Sequence, residues 1–416
     1  MKKLFLLFAV FMLAASIQSQ EKKPFRMGNR VFELGIANFD LGIANNFLTA
    51  GDILNKNRKL IIDFENLGDG LNIGFDLSLS PLFFNINIKD KWGFGLDIAN
   101  ISAYGNIDIS GELLKLNRSD GDRFGMGASA FLDVGFPLFF HIKNVVKKDL
   151  KINLRPAGFV TLFFAEPDMT YTFKEINNSG INSAYMEIDY EAKIYTPVLL
   201  DSRFDFFSSL DIGELLGRNL GVDLGIGAEY PLFNWLDLGV NFSHIPVIPS
   251  RLNHYVEIKD KISLDTSELN AVDLINGDVD MDKIINLPEN NNMVFGTDSK
   301  DKYIRRPFKM IFYGNFRPFQ SQIFTVTPKL GFSINGAYVQ KFSVEGGLGI
   351  KLDLANMFIT RIGINYEDKM WKNGISFNFN FRAVEIGIGA AMQSQNFLKS
   401  WQASGVRVNF EFKLGY

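Results

Sequence analysis

The stretch Val406-Arg407-Val408-Asn409-Phe410-Glu411-Phe412-Lys413-Leu414-Gly415-Tyr416 decides the class of this chain. Every second residue is apolar. Between them stand Arg407, Asn409, Glu411 and Lys413, then Gly415. Successive side chains of a β-strand point to opposite faces, so this segment has one wholly apolar face and one polar or charged face. An edge strand of a soluble β-sandwich would show such alternation too. What separates the two readings is how often the pattern recurs.

It recurs through most of the chain. Phe342, Val344, Leu348, Ile350, Leu352 and Leu354 oppose Glu345, Gly347, Gly349, Lys351 and Asp353. Ile362, Ile364 and Tyr366 oppose Arg361, Gly363 and Asn365. Ile375, Phe377, Phe379 and Phe381 interleave with Ser376, Asn378, Asn380 and Arg382, and Val384, Ile386, Ile388 and Ala390 oppose Glu385, Gly387 and Gly389. Earlier, Leu220 to Tyr230 and Leu236 to Phe242 form a hairpin, as do Phe84 to Ile88 and Trp92 to Asn100. Further strands are expected near 71–80, 103–116, 123–136, 150–164, 184–196, 250–258, 303–316 and 323–335.

Each of the clearest runs is about nine to eleven residues, the length a tilted strand needs to cross a bilayer. The apolar faces are rich in Phe, and aromatics stand at strand ends, as at Trp92, Tyr230, Trp235, Tyr366, Trp371 and Trp401. That is where girdles at the membrane interface would lie. Lipid cannot satisfy an open sheet edge, so the strands must close on themselves. The sequence therefore predicts an all-β fold: a transmembrane antiparallel β-barrel of about 14 strands, with 12 to 18 allowed. Composition agrees, with 41 Phe and 37 Gly beside a mean hydropathy close to zero, as an apolar outer band and a polar interior average out. An aromatic residue closing the last strand resembles the terminal signal of bacterial outer-membrane barrels. It implies outer-membrane lipids as surroundings and recognition of Val406–Tyr416 by a barrel-assembly machinery.

The N-terminus supplies an address. Lys2 and Lys3 precede an apolar run from Leu4 to Ala15, followed by the polar Ser16 to Gln20. The run is too short to span a bilayer and reads as a secretory signal peptide over residues 1–19, cut after Ser16 or Ser19. Residues 20–416 are then one barrel, since no Pro- or Ser-rich linker divides them. The chain has no Cys, hence no lipid anchor on a thiol and no disulfide. A net charge of −3 speaks against nucleic acid as a partner, because a phosphate-binding surface needs a clustered basic excess.

Two segments break the alternation. Residues 46–69 hold Gly51-Asp52-Ile53-Leu54 and Ile61-Ile62-Asp63-Phe64-Glu65-Asn66-Leu67, whose spacing suggests short amphipathic helices. They form either a plug folded into the lumen or an external loop with a helical turn. Residues 257–306 read as a long, acidic, partly helical surface loop. Its apolar residues Leu269, Val272, Ile275, Ile284 and Ile285 fall at near-helical spacing and are the candidate ligand-capturing positions.

Residues for catalysis are sparse. The three His, His141, His244 and His254, have no nucleophile or acid pair beside them in sequence. Asp278, Asp280 and Asp282 with Glu289 imitate a calcium loop, but Lys283 stands where that loop's turn needs Gly. No catalytic, cofactor or metal site is expected. The informative set is the inward face: Lys351, Asp353, Arg361, Arg382, Glu385, Arg407, Glu411 and Lys413 should point into the lumen. A charge on the lipid face would cost about 2–4 kcal/mol near the midplane. Gly225, Gly227, Gly347, Gly349, Gly387 and Gly389 share the polar face. They would either leave room for a plug or ligand, or relieve twist under neighbouring aromatics.

The paired segments Gly221-Val222-Asp223-Leu224-Gly225-Ile226-Gly227-Ala228-Glu229-Tyr230 and Trp235-Leu236-Asp237-Leu238-Gly239-Val240-Asn241-Phe242 resemble a hairpin of FadL-like outer-membrane barrels. That group includes long-chain fatty-acid transporters and PorV-type secretion barrels. The signal peptide, the length, the non-strand segment near the N-terminus and the last strand are similar in layout. The Asn-Pro-Ala motif of the transporters is absent, and Ile43-Ala44-Asn45-Asn46 stands in a comparable place. No ligand-contact residues carry over. The resemblance implies transport of a hydrophobic or amphipathic small molecule. The other expectation is a surface-structural or secretion-complex barrel that acts through its outer loop.

Overall fold

The computed structural model describes residues 31–45, 71–88, 91–109, 123–143, 150–165, 168–178, 181–199, 212–265, 285–286, 293–334, 342–367, 370–394, 396–402 and 404–415. The expected signal peptide, the 46–69 segment and Tyr416 lie outside them, as do Leu269, Val272, Ile275, Ile284 and the acidic 278–282 run.

The barrel begins with β1 (Phe32–Asn45) and β2 (Leu71–Ile88). A third wall position is built in two pieces, β3 (Trp92–Ile98) and β4 (Asn100–Ile109), both paired with β2. Next come β5 (Arg123–Ile142) and a fifth position made of β6 (Lys151–Ala165) and β7 (Asp168–Asn178). The sixth is β8 (Ile181–Thr196) and β9 (Leu220–Phe233), with a short helix, α1 (Ile212–Arg218), between them. The seventh is β10 (Leu236–Ile248) and β11 (Ser250–Asp265), the latter edged by β12 (Ile285–Asn286). The eighth is β13 (Met293–Ile304) and β14 (Phe308–Phe316).

Six undivided strands follow: β15 (Phe324–Ile334), β16 (Phe342–Leu354), β17 (Phe358–Glu367), β18 (Met370–Phe381), β19 (Val384–Ser394) and β20 (Gly405–Gly415). The helical turn α2 (Phe397–Ser400) precedes the last. Strand β20 pairs antiparallel with β1, from Glu33 opposite Gly415 to Ala44 opposite Gly405. The sheet is thus a closed antiparallel barrel of 14 wall positions, as the alternation predicts.

Its faces are inverted relative to a soluble protein. Phe342, Val344, Leu348, Leu352 and Leu354 of β16 are exposed on the outside, while Ser343, Glu345 and Asp353 of the same strand are buried. In β2, Ile73, Phe75, Ile86 and Ile88 face out and Asn72, Ser80, Asn85 and Asn87 face in. In water this arrangement would expose a continuous apolar surface far larger than the patches monomers tolerate, whereas lipid is its natural solvent. Two aromatic groups mark the ends of the belt. Phe233 stacks on Trp235 at 5.0 Å and Trp235 meets Phe316 at 5.5 Å. At the other end Tyr366, Trp371, Phe397 and Trp401 form a chain of ring contacts between 4.9 and 6.3 Å. At the Trp235 end the strands join by tight turns. Ala355 and Asn356, both at positive φ (56° and 57°), sit in the three-residue loop between the paired Leu354 and Phe358, where Met357 N–H donates to Leu354 O at 3.0 Å.

One side of the wall stands taller than the rest. Pairing of β8 with β11 continues to Asp265 opposite Tyr185, and β7 and β13 flank them. This corrects the expected 257–306 loop: residues 257–265 and 293–304 are strands, and Ile285 pairs with Leu264 in a short strand rather than lying on a helix. Beyond the membrane both strand faces meet water, so a strand there need not show an apolar stripe.

Candidate functional site in the barrel lumen

The inner face is a set of charge networks joined across strands. At the seam between first and last strands, Arg407 Nε lies 2.7 Å from Asp40 and its Nη1 lies 2.7 Å from Asp76. Gly42 makes the room: a Cβ there would sit 2.5 Å from the Asp76 carboxylate. Further round, Lys413 bonds Glu411 at 2.6 Å and lies 3.7 Å from Glu385, while Arg361 donates to Asn378 and Asn378 donates to Glu385 at 3.3 Å. Lys351 and Asp353 pair at 3.2 Å. These seven residues are those the alternation points inward. Arg382 is elsewhere. It occupies the tight turn between β18 and β19, exposed, with φ 53°, because the apolar run of β18 ends one residue earlier at Phe381.

Other members are not among the expected lumen charges. Glu367 is held between Lys329 (2.6 Å) and Lys372 (3.1 Å), all three buried. Lys309 pairs with Glu345 at 3.1 Å. Arg306 is also buried; it donates from Nε and Nη2 to Asp133 at 2.7 and 3.0 Å and lies 3.6 Å from Asp223. Its guanidinium is 4.5 Å from the ring centre of Phe159, and it fills the space a side chain on Gly135 would need. A cation so placed keeps its charge because two carboxylates and an aromatic face replace water. His244 reaches Asp223 at 2.9 Å from a one-residue bulge in β10, where its own φ is 54°. His141 lies 3.2 Å from Asn87 and His254 is 2.9 Å from Thr297.

Three glycines of this face sit against long polar side chains of neighbouring strands. Gly225 backs Arg155, Gly347 backs Asn365 and Lys329, and Gly387 backs Asn378 and Glu411. They make room for the long polar side chains of neighbouring strands.

Between these networks lies a cavity of about 400 Å³. Its wall includes Tyr104, Phe131, Phe139 and Ile311 with Ser80, Asn100, Asp133, Asp223, His244 and Arg306. Tyr104 and Phe131 meet edge to face at 4.1 Å. Carboxylates outnumber cations in the lining. Beside the cavity the wall is interrupted. Strand β2 pairs with β4 up to Leu79 opposite Ile101 and with β3 from Leu82 opposite Ile98. Ser80 and Pro81 lie opposite Ala99 and Asn100 in the gap. Pro81 has no N–H to give, and Ala99 sits at φ 57°. Among the described residues no cluster of His, Asp and Glu has the geometry to hold a metal ion.

Inverted faces, a closed seam and a mixed polar and aromatic cavity define a transmembrane β-barrel with an internal cavity. Among solved structures the chain is similar to the toluene transporter TbuX of Ralstonia pickettii, with 8% identity, TM-score 0.43 and coverage of 94% of this chain and 90% of that one. It is similar to the toluene transporter TodX of Pseudomonas putida, with 9% identity, TM-score 0.41 and coverage of 96% and 94%. A Pseudomonas aeruginosa FadL homologue gives 9%, 0.42, 93% and 90%. The likeness is one of layout. No protein-family profile matches the chain, and no curated protein matches it.

Proposed function

We propose that this barrel sits in a bacterial outer membrane, exported by its signal peptide, and passes small hydrophobic or amphipathic molecules through its lumen cavity. The observation that carries the proposal is the cavity beside the interrupted wall at Ser80–Pro81 and Ala99–Asn100. An apolar solute gains by moving from an aromatic-lined cavity into lipid, and a break in strand pairing is the place where a wall opens at least cost. Val406–Tyr416 serves the assembly machinery, and Leu269, Val272, Ile275, Ile284 and Ile285 contribute to solute capture.

Cells whose outer leaflet excludes apolar solutes supply the test. Those making the chain should accumulate labelled toluene faster than cells lacking it, and equal rates would reject the reading.

A second reading draws on the sheet of β7, β8, β11 and β13 that rises on one side. Such a surface suits a protein partner, and the barrel would then be its anchor. Capture of a stable partner by intact cells, lost when residues 266–292 are shortened, would support it.

A further inference from the structure

We infer that the cavity contains a built subsite for a neutral oxygen acceptor, formed by Asn38, Ser80 and Asn100. The three lie in one row across adjoining wall strands. Asn38 is opposite Ser80 in the β1–β2 ladder. Ser80 faces Asn100 across the gap in pairing, and Asn100 is opposite Gly135 in β5. All three line the cavity.

Ser80 is 4% exposed and Asn100 5%. Within the protein, Ser80 Oγ, Asn100 Nδ2 and Asn38 Nδ2 make no hydrogen bond. The opposite ends of the two amides are engaged: Asn38 Oδ1 accepts from Phe412 N at 2.8 Å and Asn100 Oδ1 accepts from Ser102 Oγ at 3.4 Å. What remains is two amide donors and a hydroxyl without a partner in the protein, on three residues that line one cavity. Buried donors without partners are costly, and such groups commonly meet a ligand.

The ligand's charge follows from the surroundings. Arg306, next along the row above Gly135, is engaged by Asp133 and Asp223. Arg407 is engaged by Asp40 and Asp76. Across the whole lining seven carboxylates face five Lys and Arg side chains, so a carboxylate ligand would meet a net negative wall. A ketone, ester or similar neutral oxygen meets donors and no repulsion. Tyr104, on the same inner face of β4 as Asn100, and Phe131 offer the ring surface for an aromatic body. The subsite thus selects neutral oxygenated aromatics over hydrocarbons and over anions. This rests on the uptake reading above and names the substrate class for it.

The test uses the full mature chain in an amphipathic polymer and fluorine NMR with three probes matched in size: para-fluoroacetophenone, para-fluoroisopropylbenzene and para-fluorobenzoate. Polymer without protein is the partition blank. The ketone should bind about tenfold more tightly than the hydrocarbon, the span two or three gained hydrogen bonds can supply, and benzoate should bind weakest. In a Ser80→Ala/Asn100→Leu variant that still migrates as a heat-modifiable barrel, the ketone preference should fall to near parity. Ser80→Thr, which keeps the hydroxyl, should retain it. Equal binding of ketone and hydrocarbon by the wild type overturns the subsite and leaves uptake standing. Benzoate binding tightest overturns it too. If no probe enters the cavity, the uptake reading falls and the subsite falls with it.

Discussion

Arg407 of the last strand and Asp40 of the first are joined at 2.7 Å across the seam that closes the barrel. The same guanidinium reaches Asp76 of the second strand, so one side chain ties three neighbouring strands from the inside. Backbone pairing closes the ring, and this contact fixes its register, because a one-residue slip would turn Arg407 into lipid. Arg407→Ala would remove the cation that Asp40 and Asp76 share in a space largely shielded from water. The expected loss is about 3–5 kcal/mol, since removing one partner of a buried pair costs more than the pair contributes. Urea unfolding in lipid vesicles reads this directly. The Asp40→Asn/Arg407→Ala double variant should lose less than the sum of the singles.

The Glu367 group makes the opposite kind of test. Glu367→Leu takes from two buried ammonium groups, Lys329 and Lys372, the carboxylate they share, and should cost several kcal/mol. Replacing all three by Leu, Met and Met should recover most of that loss, because apolar side chains of similar volume need no partner. A triple variant weaker than the single one would mean the network sustains the lumen in some other way.

Side-chain parity sets a third expectation. Leu348→Arg places a charge on the lipid face of β16 and should destabilise by about 2–4 kcal/mol. Asn409→Arg, on the cavity side of β20, should cost less than 1 kcal/mol by the same unfolding measurement. Equal losses would show that the faces are reversed or that both strands lie outside the bilayer.

Gly135→Ala gives a fourth. The added Cβ would fall 2.1 Å from Arg306 Nη2. The guanidinium must then leave Asp133, with which it forms two bonds. Stability should drop as far as in Arg306→Ala, and the two changes together should not add.

The lipid-facing strands were legible because the bilayer enforces a period of two: Leu348, Ile350 and Leu352 had to be apolar and Lys351 could not be. The same rule placed Arg407, Glu411 and Lys413. It fails where water touches both faces. Thr297-Asp298-Ser299-Lys300-Asp301-Lys302 lies within β13, and β7 with its mixed polar sequence was not anticipated. Division of the wall was also hidden. Residues 71–80 and 84–88 are one strand, and 92–98 and 100–109 share one wall position, because Pro81 and Ala99 interrupt pairing without ending the direction of the chain. At the site, the pairing of Arg306 with Asp133 joins residues 173 apart in sequence, and no local pattern encodes such a contact. A parity reading of Asp133 and Asp223 marks each as inward but not as partners.

If solute leaves the cavity through the wall interruption, as proposed, bridging that gap must slow uptake. The chain has no Cys, so a single staple can be placed without side reactions. Pro81→Cys with Ala99→Cys sets two thiols on opposite sides of the gap. The measurement is the rate of labelled toluene uptake by cells carrying this variant, before and after reduction. Entry should be slow in the oxidised form and recover on adding reductant. Uptake at the same rate in both states, with the disulfide fully formed, would contradict it.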